Sequence, residues 1–348
     1  MIFVDISERK VKILKAIIDE YIATGIPIGS RTLSKRPGFD YSPATIRNEM
    51  ADLEEMGYLE KSHVSSGRMP SDLAYRFYVD RLMHVPDITS EDLKFIKSYF
   101  TGKVDALEQV MDMTAKVLSD ATHHISMVTR PKLNEIKLKR IQIIKITEGK
   151  ALVVIVTDNG IVKDSLINIP KDMTDSNFEM LSNMLTEAAH NLSMSDALNR
   201  IKEIVTDTAV NQRLFGEHVF RALESQASQN EVVLGGVGNF LDFPQFSEKG
   251  KARDFLTTLE TKEKLYNILE NTADMEFTIR IGKENAYDEF KDMSIVTATY
   301  SVGGEKVGSY GIIGPTRMDY ARVVSVLNFV GRSLNEIITG YLSDDDHK

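Results

Sequence analysis

The side chains best suited to a chemical task lie on one short segment, residues 42–57. Ser42 can cap the start of a helix with its hydroxyl, Pro43 suits the first helical position, and Gly57 can end the helix in a left-handed conformation. Apolar side chains recur at helical spacing and predict a buried stripe, formed by Ile46, Met50 and Leu53. The outward positions carry polar and charged side chains, namely Thr45, Arg47, Asn48 and Asp52. Such groups in the N-terminal half of an exposed helix are typical of contacts with base edges in the DNA major groove.

Two further helices are predicted ahead of this segment. The first runs over residues 7–24 and is ended by Gly25, with its buried face marked by Val11, Leu14, Ile18 and Tyr21. A capping-box spacing at its beginning is also compatible with a helix that starts two residues earlier. The second spans residues 30–36, with Ser30 as its cap, and a Pro-Gly pair ends it. Three helices in this order, with a tight link between the second and the third, predict a helix-turn-helix.

A wing is predicted directly after the third helix. Residues 58–64 favour a β-strand, and a loop tip of small residues with one arginine follows at 65–70. Gly67 permits a close backbone approach, and Arg68 has the reach for a phosphate or the minor groove. The alternative is a solvated helix surface on which Arg47 pairs with a nearby carboxylate such as Glu54. The wing favours DNA binding, because helices, strand and Gly-Arg loop together form a more demanding pattern.

The charge of the chain does not by itself indicate a nucleic-acid partner. The 348 residues carry a formal net charge of −9, yet residues 1–81 contain 12 Lys and Arg against 12 Asp and Glu. The predicted DNA-binding part is therefore neutral, and its phosphate contacts must come from a few cations on one face. We expect weak non-specific binding and a reliance on dimerisation for affinity.

Composition and motifs argue against an enzyme. The chain has no cysteine, which excludes disulfides, thiolate metal sites and cysteine nucleophiles. Its seven histidines include no pair at i, i+4, so we predict no metal site. The glycines at 235–238 are followed by residues that do not start a helix well, so a turn is favoured over a nucleotide site. We predict no catalytic residue and no cofactor. Without an apolar run long enough to span a bilayer and without a visible secretory signal, we expect a cytoplasmic protein.

The remaining chain predicts an α+β multidomain protein. Helical patterns alternate with β-rich segments at 138–146, 151–157, 161–169, 277–281, 294–302 and 306–313. Asp158-Asn159-Gly160 supplies hairpin-turn chemistry, and a final helix at 318–341 precedes an acidic tail. The stretch 207–273 is largely helical apart from its glycine-rich part. We therefore predict one sheet that is split by a helical insert.

Six sequence blocks resemble one known family. They are IGSRTL at 28–33, SPATIRNEMADLE at 42–54, GYL at 57–59, SSGRMPS at 65–71, GGVGN at 235–239 and GSYGIIGPTRMDY at 308–320. In this order and spacing they resemble the HrcA heat-inducible transcription repressors, and the resemblance covers essentially the whole chain.

The resemblance implies a division of the chain into domains. It implies a winged-helix DNA-binding domain at 1–85 and a GAF-like domain whose first part, with linker helices, is 86–206. It further implies an inserted dimerisation domain at 207–273, the second part of the GAF-like domain at 274–342, and an acidic tail at 343–348.

The resemblance also implies partners and a mode of action. A homodimer would bind the CIRCE inverted-repeat operator upstream of chaperone operons and repress them. The GroEL chaperonin would keep the repressor active until unfolded proteins occupy it. The alternative is a winged-helix regulator that responds to a small molecule bound in the GAF-like domain.

Eight residues are predicted to contact DNA. Thr45, Arg47 and Asn48 are expected at bases or the adjacent backbone, where arginine suits guanine and asparagine suits adenine. The phosphate-positioning residues are predicted on the second helix and in the wing: Arg31, Lys35, Arg36, Ser66 and Arg68.

Overall fold

A computed structural model provides the structure of the chain. It describes residues 6–61, 67–100, 107–130, 137–158, 162–170, 173–206, 220, 232–243, 249–270, 277–302 and 305–344. Ser66, the predicted turn at 159–160 and the end of the acidic tail lie outside the described residues. None of the helices in these ranges is long and apolar enough to cross a lipid bilayer.

The first unit consists of three helices and a two-stranded antiparallel sheet. The helices are α1 (Glu8–Thr24), α2 (Ser30–Ser34) and α3 (Pro43–Glu55), and the strands are β1 (Leu59–Lys61) and β2 (Arg68–Pro70). Helix α4 (Asp72–Phe77) follows and continues as a π-helical turn over Tyr78–Leu82. The predicted order of helices and strand is confirmed.

Local signals set most of the helix ends in this unit. Ser7 caps α1, and Gly25 ends it in the left-handed region at φ 69°. Helix α2 differs from the prediction, because Gly29 precedes its first turn and Ser30 lies inside the helix. It is also two residues shorter than predicted, since Lys35 already occupies the C-cap position.

The core of the first unit lies between α1 and α3. Leu14 and Ile18 are buried as predicted, whereas Val11 and Tyr21 are only partly buried. Ile13 and Ile17, which the single predicted stripe omitted, are fully buried. The reason is that α1 contacts α2, α3, β2 and α4 at once, so a wider arc of the helix is covered than one apolar stripe.

The largest unit is a five-stranded antiparallel sheet in the order β7-β3-β10-β9-β8. Its strands are β3 (Ile125–Thr129), β7 (Val232–Gly235), β8 (Phe277–Ile281), β9 (Met293–Val302) and β10 (Glu305–Pro315). One face packs on α6 (Leu107–Thr122) and α11 (Tyr320–Asp344), beside α5 (Ser90–Tyr99). The opposite face packs on α9 (Lys249–Glu260) and α10 (Lys262–Glu270).

A separate three-stranded antiparallel sheet follows β3 along the chain. It is formed by β4 (Leu138–Thr147), β5 (Lys150–Thr157) and β6 (Val162–Asn168), and it packs on α7 (Asp175–Ala189) and α8 (Met194–Thr206). Helix α7 also covers one edge of this sheet. The hydroxyls of Ser182 and Thr186 accept the backbone N–H groups of Ile143 and Ile141 at 2.9 and 3.0 Å. An edge strand covered in this way cannot pair with another chain through those groups.

The predicted position of the insert is wrong. Strands β4 to β6 pair only with one another among the described strands, although the sequence pattern placed them in one sheet with β8 to β10. Conversely β7, inside the predicted 207–273 insert, pairs with β3, and Phe255 and Leu265 of the following helices are buried in the core of the larger unit. The insert between neighbouring strands of the large sheet thus includes 138–206, so the predicted boundaries at 86–206 and 207–273 are corrected.

Candidate nucleic-acid interface

Helix α3 presents a small polar surface whose start is fixed by its cap. The Ser42 hydroxyl accepts the N–H of Thr45 at 3.1 Å, and the two side-chain oxygens lie 2.9 Å apart. The predicted stripe of Ile46, Met50 and Leu53 is buried, as expected. Arg47 and Asn48 are exposed on the other side, while Thr45 is half-buried and shares its hydroxyl with the cap.

Ion pairs from α1 neutralise two carboxylates of α3. Glu49 is only 5% exposed and contacts Arg9 at 2.5 Å and Lys10 at 2.9 Å. The Lys10 ammonium also reaches Asp52 at 2.8 Å, and its hydrogen bonds with Asp52 and Glu49 raise the pKa of Lys10. The negative charge of these carboxylates is therefore compensated within the unit, which favours the approach of a polyanion to α3.

The C-terminal part of α3 is paired with the two-stranded sheet. Glu54 contacts Lys61 of β1 at 2.9 Å and Arg68 of β2 at 2.6 Å, and the hydrogen bond from Lys61 lowers the pKa of Glu54 against the effect of burial. Arg68, predicted to reach DNA from the wing, thus joins β2 to α3. Glu54 is engaged by these two cations, whereas Arg47 has no hydrogen bond or ion pair within the described part of the chain. The alternative pairing of Arg47 with Glu54 is therefore not what the structure shows.

The cations of α2 divide into two groups. Arg31 and Lys35 are exposed, at the start and at the C-cap of α2. Arg36 is half-buried and donates from Nη1 to the backbone oxygen of Ala16 at 3.1 Å. It therefore ties the end of α2 to α1. The described members of the predicted set all lie in the first unit, with Arg31, Lys35, Arg47 and Asn48 as its exposed members.

The sequence prediction missed Lys12. Its ammonium donates to the backbone oxygen of Gly38 at 2.8 Å and lies 5.4 and 5.8 Å from the ring centroids of Phe39 and Tyr41. These contacts hold the connector between α2 and α3 against α1, directly ahead of the Ser42 cap. The only local sign of this contact in the sequence is the aromatic pair that flanks Asp40. No helical or turn spacing relates that pair to a lysine that lies 26 residues before Gly38.

A cavity in the larger unit bears on the alternative of a small-molecule regulator. It has a volume of about 390 Å³ and is lined in part by Asn267, Arg280, Asn285 and Tyr287. The Asn285 amide nitrogen already donates to the backbone oxygens of Gly282, Phe290 and Met293, and Arg280 donates to the Ile268 oxygen at 3.4 Å. The Asn285 amide nitrogen and the Arg280 guanidinium therefore hold the surrounding loop and helix together, whereas the buried Asn285 amide oxygen has no hydrogen-bond partner among the described residues.

Comparison with known proteins decides the family. The family model described as HrcA protein C terminal domain matches residues 108–324. The chain is 41% identical to the heat-inducible transcription repressor HrcA of Ruminiclostridium cellulolyticum over 97% of this chain and 99% of that protein. The proteins of the same name from Caldanaerobacter subterraneus and Halalkalibacterium halodurans are both 37% identical, over 98% and 96% of this chain and 99% and 98% of theirs. The chain belongs to the HrcA family.

The similarity to the HrcA relatives covers more of the chain than the family model does. That model begins at residue 108, after the first unit, whereas the similarity to the relatives includes the residues of α1 to α4 as well. A solved structure described as a hypothetical protein covers 97% of this chain and all of its own, with a TM-score of 0.64 at 22% identity. It supports the mixed helix and sheet fold of this HrcA chain along its whole length.

Proposed function

We propose that this HrcA-family protein is a dimeric DNA-binding repressor of heat-shock chaperone operons, that it acts in the cytoplasm and that it is not an enzyme. In this proposal α1 to α3 with β1 and β2 form a winged helix-turn-helix domain, and the five-stranded sheet with its helices forms a GAF-like domain. The observation that carries it is α3, on which three of the four acidic side chains, Glu49, Asp52 and Glu54, are paired with cations while Arg47 and Asn48 stay exposed. This separation of charge favours the approach of the helix to DNA and leaves side chains free for base edges.

The proposed contacts follow from exposure and reach. Arg47 reads guanine and Asn48 reads adenine or the adjacent backbone, while Thr45, which shares its hydroxyl with the Ser42 cap, lies at the backbone. Arg31 and Lys35 position the unit on phosphates. Arg36 and Arg68 stabilise the same surface through their bonds to the Ala16 backbone oxygen and to Glu54. Ser66 of the predicted wing is proposed to contact a phosphate.

A homodimer is supported by one face of the three-stranded sheet. Ile144, Leu152 and Leu166 lie side by side across β4, β5 and β6, on the face opposite the one that packs on α7 and α8. Ile144 is 41% and Leu166 56% exposed in the single chain, with Ile146 and Val162 exposed nearby. A contiguous apolar face of this kind on a charged surface is typical of a protein–protein contact. We propose that a second copy covers it.

The operator and the chaperonin complete the proposal. A two-fold dimer suits an inverted repeat, because each subunit reads one half-site. The family resemblance supports the CIRCE element as that repeat and GroEL as the partner that maintains the active repressor.

The test is footprinting on the promoter region of the organism's own chaperone operons. We expect protection of an inverted repeat by the purified protein, with half-sites on one face of the duplex, and protection at lower repressor concentration when GroEL is added. Equal protection of random DNA at the same concentrations would refute the repressor function. An unchanged footprint with GroEL would refute only the chaperonin partner.

Lys35→Ala is expected to weaken binding to all DNA sequences alike, because Lys35 is proposed to contact phosphate. The plot of the logarithm of the binding constant against the logarithm of the salt concentration should become less steep by roughly one unit, since one fewer counterion is released. Titrations of specific and random duplexes at four salt concentrations measure this. A loss confined to the operator would contradict the phosphate role.

A further inference from the structure

The first unit is fixed to the larger unit by Arg76 of α4. Its guanidinium donates from Nε and Nη2 to the two carboxylate oxygens of Glu284, at 2.8 and 2.5 Å. Nη2 also donates to the backbone oxygen of Ile279 at 2.6 Å, and Nη1 donates to Asp80 at 3.0 Å. A fork with both of its edges occupied has little rotational freedom, unlike a single charged contact.

The acceptor side of this contact is held equally firmly. The Glu284 carboxylate accepts the backbone N–H of Ile281 at 2.9 Å, so it is fixed by its own turn at the end of β8. Next to it the Asp72 carboxylate accepts the N–H of Lys283 at 3.2 Å. Gly282 has φ 55°, and a Cβ there would lie 2.0 Å from an Asp72 oxygen, so only glycine permits this approach.

Aromatic and backbone contacts extend the junction back to the end of α1. The Tyr75 ring of α4 lies 5.8 Å from the Tyr320 ring of α11, and both tyrosines are nearly fully buried. At the C-cap of α1 the Arg317 guanidinium fills the space beside Gly25, where a Cβ would lie 1.6 Å from Nη1. The first unit thus contacts the larger unit at several points, and the Arg76 guanidinium makes the most polar of these contacts.

We propose that Arg76 is a positioning residue that sets the angle at which the first unit presents α3 to DNA, so that binding to two half-sites at once depends on the Arg76–Glu284 contact. The proposal rests on the proposed dimeric operator binding. The two α3 helices of a dimer must lie about one helical turn of DNA apart, in a fixed relative orientation. When the units are rigidly joined, binding of the first half-site raises the effective concentration of the second α3 at the correct spacing only. When the joint is loose, that gain is lost and other spacings become equally accessible.

The test compares operator spacing in Arg76→Met with that in Arg81→Met. Methionine retains the apolar stem of arginine, and Arg81 is an exposed arginine of the π-helical turn that continues α4, so the two variants lose the same charge. Affinity is measured for the natural operator, for an operator lengthened by about five base pairs, which rotates one half-site by half a turn, and for a single half-site. Thermal melting and hydrogen exchange report whether each variant folds and whether residues 72–89 have loosened.

For the wild type and Arg81→Met we expect strong preference for the natural spacing. For Arg76→Met we expect that preference to fall by at least about tenfold, with unchanged half-site affinity and faster exchange over 72–89. Glu284→Gln removes the acceptor charge from the opposite element and should give the same result, including where Arg76→Met does not fold. Full spacing preference in both folded variants would overturn the positioning role. Absence of operator binding by the wild type would instead overturn the proposed function.

Discussion

Arg47→Ala is expected to weaken operator binding by about 1–3 kcal/mol, or roughly 5- to 150-fold, and to relax the base preference at one position of each half-site. The expectation follows from three properties of the side chain. It is exposed on α3, it lies one turn after the Ser42 cap, and it has no ion pair within the described residues that would have to break before it meets DNA.

The measurement is a set of gel-shift titrations against the operator and its single-base substitutions. Arg332→Ala, which removes an exposed arginine from α11, is the matched control for lost positive charge and should bind like the wild type. Because Arg47 contributes nothing to the core of Ile46, Met50 and Leu53, the variant should melt at the wild-type temperature. Unchanged affinity and unchanged base preference would show that α3 does not read the operator.

Local structure around α3 was predictable because its determinants are local. A capping hydroxyl, a proline at the first helical position and an apolar repeat are each defined by residues about four positions apart or closer, and the structure confirms all three. The same holds for Gly25, whose left-handed conformation ends α1. Short-range steric and hydrogen-bonding preferences can be recognised in one sequence.

The charge pattern of the interface could not be predicted in the same way. Glu49 lies on α3, but the cations that bury it lie on α1, about forty residues earlier, and no helical spacing rule relates them. When these ion pairs are not considered, the sequence of α3 is that of an acidic helix with one arginine. With them, the carboxylate of Glu49 is compensated and Arg47 remains the exposed charge of the N-terminal half of α3.

Sheet membership was the part of the fold that local patterns could not determine. Alternating residues predict that 138–146 and 151–157 are strands, but each strand pattern is satisfied by any neighbour that covers its apolar face. β7 pairs with β3 across more than one hundred residues, whereas β4 to β6 pair in sequence order. Because the insert includes the sheet of β4 to β6, the apolar row across these strands belongs to the insert, and we propose that the partner subunit covers it.

Leu166→Lys is expected to dissociate the proposed dimer and to reduce operator affinity by about 10²–10⁴-fold, because two linked half-site contacts become independent. Leu166 is 56% exposed in the single chain and lies beside Leu152 and Ile144, so lysine can be accommodated in the monomer. In a two-fold contact each lysine would occur twice and would lose its water without gaining a partner.

Met180→Lys provides the matched control, since Met180 is 52% exposed and lies on α7 of the same subunit region, outside the apolar row across the strands. Sedimentation equilibrium should give a monomer for Leu166→Lys and a dimer for Met180→Lys and the wild type. Affinity for a single half-site should be equal in all three, since α3 is far along the chain from the substitution and its ion pairs are intact. A Leu166→Lys protein that remains dimeric would place the contact elsewhere. A monomer with full operator affinity would show instead that one α3 is sufficient. We do not expect this result, because residues 1–81 have no net charge and few cations are available to hold a single subunit on DNA.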